Sequence, residues 1–236
     1  MEWLGGVLSG VLGALFGVWS LGVADRLRCA SGGLFGAREE RVCASQPRGW
    51  LVPTKQEDWI AVAVAGALWV SVWGMFWVRQ EGIAWWIWHV VFLSGLFALA
   101  LVDVRWRILP MEVVVALGVV AMLTRVLFLN GSWAAALQGL LILGLFFGLQ
   151  TWLSRGKWLG SGDPLLGAAI GASLGWPLAG MAVYFTYMSA IPFLVIHFWR
   201  MNTVSRIRWP FAPLLFLGTW LAVAFGEMLQ QWMFRW

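Results

Sequence analysis

Trp133-Ala-Ala-Ala-Leu-Gln-Gly-Leu-Leu-Ile-Leu-Gly-Leu-Phe-Phe-Gly-Leu-Gln-Thr-Trp-Leu153 runs for twenty-one residues without a charge. A helix needs about 20 apolar residues to cross about 30 Å of hydrocarbon. In lipid every peptide group must be hydrogen-bonded internally, which for a single segment leaves only the helix. This stretch therefore reads as a membrane-spanning helix, with Trp133 and Trp152 near its two ends as interfacial anchors.

The rest of the chain agrees. Of 236 residues, 61% are hydrophobic and 11% charged, against about 45–50% and about 25% in soluble domains. A globule of this size cannot hide so much apolar surface, and the mean hydropathy of +0.79 sends the surplus into lipid. A disordered chain, a collagen-like rod and a cysteine-stapled secreted module are excluded. Uncharged runs fall near 3–23, 58–78, 83–102, 110–129, 133–153 and 211–233, and Gly175-Trp176-Pro177 divides a further run into 165–174 and 178–198. The fold class is all-α: a polytopic integral membrane helix bundle of about eight transmembrane segments, with both termini outside. A count of seven is the alternative, because the short 165–174 segment could fail to span.

Charge decides the orientation. With the N-terminus outside, thirteen of the sixteen Lys and Arg fall in loops on one side, which is then cytoplasmic. Seven spans would move Arg200, Arg206 and Arg208 to the wrong side. Arg79 and Arg235 fall outside, and Arg125 lies near the outer end of its span, where it can snorkel. The net charge of +5 is thus a topology signal, and no nucleic-acid partner is expected. Residues 1–57 comprise the first span and a loop rich in Gly, Ser and Arg; residues 58–236 form the main bundle. The first span is not read as a removable signal peptide, since Glu2 stands where a basic region would. Cys29 and Cys43 lack metal-binding spacing and read as free cytoplasmic thiols, so no metal site is expected. Gly167, Gly171 and Gly175 form a bare stripe that lets another helix approach closely.

Ionisable groups beside a span are costly and need a reason. Asp103, Glu112, Asp163 and Glu227 qualify, while Arg125, His89 and His197 read as packing or interfacial residues. Asp103 closes one apolar run and opens the loop to Pro110. Asp163 ends Gly160-Ser161-Gly162-Asp163 and begins the glycine-striped helix, where it is expected as the N-cap, with Pro164 in the first turn. Both aspartates fall at the cytoplasmic mouth. Two carboxylates sharing one proton can activate water and polarise a peptide carbonyl. Gly160 and Gly162 would let a peptide backbone come close, and Glu112 is a further candidate for lining the mouth. Chemistry alone leaves open a structural reading, in which the aspartates cap helices and pair with nearby arginines.

Asp103-Val-Arg-Trp-Arg-Ile-Leu-Pro110 resembles the first active-site motif of the aspartic prepilin peptidases. Gly160-Ser-Gly-Asp163 resembles their second, the GxGD signature, and Trp209-Pro-Phe-Ala-Pro213 is similar to the opening of the family's last helix. The resemblance implies Asp103 and Asp163 as a catalytic dyad, with Gly160, Gly162 and Pro110 shaping the loops around it. It implies an aspartic endopeptidase of the bacterial cytoplasmic membrane that removes a short basic leader from type IV pilin-like precursors. Proteolysis would need no cofactor. Many members also methylate the new N-terminus using S-adenosylmethionine. That activity is left open here, because the N-terminal pattern is eroded and the paired CxxC motifs are absent. Leu165 replaces the usual Lys two places after the second Asp, and Met111 the usual Asp or Asn after the first motif's proline. The alternatives are a non-catalytic membrane scaffold and a small proton- or cation-coupled transporter.

Overall fold

The computed structural model describes residues 11, 13–15, 56–79, 82–107, 109–156, 159–201 and 210–233. The 3–23 span falls largely outside these residues, and the 24–57 loop with Cys29 and Cys43 almost entirely. Among the described residues all regular structure is helical: α1 (Gln56–Arg79), α2 (Ile83–Trp106), α3 (Met111–Phe128), α4 (Trp133–Leu153), α5 (Asp163–Leu174), α6 (Leu178–Met201) and α7 (Ala212–Met233). Three stretches, Ala84–Arg105, Met111–Phe128 and Trp133–Leu153, are long and apolar enough to cross a membrane; Ile60–Met75, Asp163–Leu174, Leu178–Pro192 and Ala212–Gly226 are shorter apolar helices. The chain is an integral membrane protein.

It forms two compact units, Met1–Trp106 and Arg107–Trp236. In the first, α1 packs on α2 through Trp69 and Trp73, whose rings meet Trp86 edge-on. His89 is buried between Trp85 and Trp88, and its Nδ1 lies 2.8 Å from the Trp85 carbonyl oxygen. That is the packing role expected of it. Helix α2 continues past the apolar run to Trp106, so Asp103 stands in its last turns and does not open a loop. The helix's own hydrogen bonds extend it, Arg105 complements the negative end of its dipole, and Arg107, at φ 55°, ends it.

The second unit is built around α5. A helix buried on most of its circumference is apolar all round, and α5 has nine buried residues of twelve. It packs most extensively on α4, then on α3, while α6 pairs with α7. Lipid offers no hydrophobic drive between helices, so close backbone approach must supply the contact. Gly139 of α4 and Gly171 of α5 meet backbone to backbone, leaving no room for a Cβ on either. Gly167 lies against Phe147, and a Cβ on Gly118 of α3 would stand 2.7 Å from that of Ala169. Gly175, at φ 69°, ends α5, and the Trp176–Pro177 peptide is cis. Gly218 of α7 likewise leaves no room for a Cβ against Thr186 and the Ala182 carbonyl of α6.

Arg125 departs from simple snorkelling. Its guanidinium lies over Gly175, within 3.0 Å of where a Cβ would stand, and its Nη1 is buried without a hydrogen-bond partner among the described residues. The bare glycine leaves the flat surface that a planar group can cover. Glu227 and His197 are helical, on α7 and α6.

Candidate active site

Asp163 occupies the first turn of α5 and is 4% exposed. It is not the N-cap that the sequence suggests; Gly162 holds that place, with Asp163 and Pro164 following inside the helix. The reason is a tighter turn. The Gly160 N–H donates to Asp163 Oδ2 at 2.6 Å, and the Asp163 N–H donates back to the Gly160 carbonyl at 3.3 Å. The carboxylate is thus held against the glycine turn, beside the positive end of the α5 dipole. A Cβ on Gly160 would stand 3.3 Å from Oδ2, closer than nearly all ordinary contacts.

Gly162 carries a second constraint. A Cβ there would lie 2.9 Å from the Cβ of Leu109. The first motif and the glycine turn therefore meet, at Leu109 just before Pro110 and at Gly162 just before Asp163. Pro110 is buried and caps α3, its carbonyl accepting from the Val114 N–H at 3.1 Å. Glu112, in the first turn of α3, is exposed. Asp103 is buried in α2, 7% exposed, and belongs to the first unit, whereas Asp163 belongs to the second.

Two contacts escape a sequence reading. Phe211, from the proline-rich stretch opening α7, packs edge-on against Phe147 with ring centres 5.7 Å apart, and lies 6.4 Å from the Tyr187 ring. The Tyr187 hydroxyl donates to Gln150 Oε1 at 2.8 Å. The signal was present but weak: Gln150 is one of two polar amides in the apolar run of α4, and Tyr187 one of two tyrosines in the chain.

Comparison with known proteins locates this arrangement. Residues 90–199, which include both aspartates, Leu109, Pro110 and the glycine turn, match the model of the type IV leader peptidase family. This stretch is similar to type IV leader peptidases. A prepilin leader peptidase/N-methyltransferase of Bacillus subtilis (strain 168) is 26% identical over 140 residues, 59% of this chain and 56% of that protein. One from Pectobacterium carotovorum subsp. carotovorum is 29% identical over 179 residues, 72% of this chain and 57% of that protein. The chain thus spans a little over half the length of the curated relatives it matches. No solved structure matches it. The matched region takes in α3, α4, α5 and most of α2 and α6. Among its described residues no three His, Cys, Asp or Glu side chains group as metal ligands would.

Proposed function

We propose that the chain is a prepilin leader peptidase, an aspartic endopeptidase in which Asp103 and Asp163 share a proton, activate water and polarise the scissile carbonyl. One observation carries the reading: within the stretch similar to leader peptidases, the buried Asp163 carboxylate is held by the Gly160 N–H on a turn packed against the other motif's Leu109. Asp163 is then the carboxylate held fixed by its turn, Asp103 its partner, and Pro110 and Gly162 set the loops. Glu112, at the start of α3, lines the same mouth.

The substrate is a type IV pilin-like precursor with a short basic leader ahead of a hydrophobic helix. It reaches the dyad laterally from the bilayer, at the cytoplasmic face of a bacterial inner membrane. An eight-span topology would put both motifs at that face, with residues 1–57 as the first span and its loop and residues 58–236 as the peptidase bundle. S-adenosylmethionine would supply a methyl group to the new N-terminus, as the relatives' names suggest of those proteins. The eroded N-terminal pattern falls almost wholly outside the described residues, so no side chain is assigned to that cofactor.

The test is a processing assay with a co-expressed precursor, read by mass at the substrate's N-terminus. Wild type releases the leader. Asp103→Ala and Asp163→Ala do not, and full cleavage by either variant would remove the catalytic assignment.

A further inference from the structure

The helices around Asp163 carry one polar feature that the dyad does not use. Helices α4 and α5 run antiparallel: Gly139 faces Gly171, Gly144 faces Ala168, and Phe147 faces Gly167. Continuing that register by one turn sets Gln150 level with Asp163. Gln150 also extends the buried stripe of α4, Ala136, Gly139, Leu143 and Phe147, which is the face that meets α5. Its Oε1 accepts the Tyr187 hydroxyl at 2.8 Å. Because a tyrosine O–H needs an acceptor, the bond turns the amide so that its nitrogen is left over, with no partner among the described residues. Phe211 and Phe146 pack against the Tyr187 ring.

A half-buried amide whose N–H groups have no partner among the described residues is open to an incoming acceptor. A peptide bond about to be cut creates the matching need. A helix satisfies its own carbonyls, but the segment entering a protease must unwind, which leaves main-chain carbonyls without donors where water is scarce. We propose that Gln150, oriented by Tyr187, is a substrate-binding residue whose side-chain N–H groups donate to a main-chain carbonyl of the unwound precursor beside the scissile bond. This rests on the peptidase reading of Asp163 and adds to it the group that receives the substrate's backbone.

The experiment measures KM and kcat for precursor cleavage by the full chain in detergent, with thermal stability measured in parallel. The variants are Gln150→Leu, which keeps size and removes the donors, and Tyr187→Phe, which removes only the orienting hydroxyl. Loss of one neutral hydrogen bond should raise KM about three- to tenfold in Gln150→Leu, with kcat within about twofold. Tyr187→Phe should raise it about two- to threefold. Binding of the same precursor to Asp163→Asn, which cannot cut, should weaken by a similar factor when Gln150→Leu is added. A pair that only ties α4 to α6 would lower stability and leave KM unchanged, which overturns the proposal. Should Gln150→Leu fail to fold, Tyr187→Phe decides by the same criterion: a raised KM upholds the proposal and an unchanged one ends it. A wild-type chain that cuts no precursor would instead defeat the peptidase reading itself.

Discussion

Asn at position 163 keeps an oxygen for the Gly160 N–H but cannot share a proton, so Asp163→Asn separates two roles that alanine confounds. Asp163→Asn should melt within about 1 kcal/mol of wild type and release no leader, whereas Asp163→Ala should also lose the turn's hydrogen bond, about 1 kcal/mol. Differential scanning fluorimetry beside the processing assay reads both. If the aspartate only ordered the turn, Asp163→Asn would process precursor normally. Gly160→Ala probes the same turn, since its methyl group would press on Oδ2 from 3.3 Å. It should slow cleavage severalfold by pushing the carboxylate off its donor, seen as a fall in kcat with precursor binding retained.

At the scale of elements, the close α4–α5 contact has a sharp expected response. A methyl at Gly171 would meet the Gly139 carbonyl oxygen, which is backbone and cannot rotate away. Gly171→Ala should therefore cost about 1–3 kcal/mol, the usual range for overpacking. Gly148→Ala, on the same helix pair with open space around it, should be silent. Melting temperatures of the two variants in one detergent give the comparison. Helix positions were legible in the sequence because the bilayer dictates them: length, absence of charge and the Gly175-Trp176-Pro177 break located α3 to α7 to within three residues. The extra turn of α2 was not, because a helix persists on its own hydrogen bonds beyond its apolar run. Nor was the cap at Gly162, which depends on where Asp163 finds a donor. The Gln150–Tyr187 bond joins residues thirty-seven positions apart, and no local pattern encodes such a pairing.

Across the whole molecule, the distribution of Lys and Arg makes the orientation testable. If the charge-poor ends face outward, the α3–α4 connection lies outside and Cys29 and Cys43 lie inside. A membrane-impermeant maleimide applied to intact cells should then label Ser132→Cys and leave the wild-type chain unlabelled until the cells are opened. Labelling of the wild type in intact cells would reverse the assignment. Sequence alone marked both aspartates and the glycine turn as candidates, since motifs of Asp, Gly and Pro declare themselves against an apolar background. It could not reveal that Leu109 rests on Gly162, a contact between segments more than fifty residues apart.

That contact makes the two motifs hereditary neighbours. A bulkier residue at 162 has nowhere to go while Leu109 keeps its side chain, so a damaging Gly162→Ala should be reversible from a distance. Among random second-site revertants that restore leader removal, Leu109→Gly ought to emerge, and its gain should vanish when Gly162 is put back. Such suppression would tie the two loops together by genetics, with no need to see either of them.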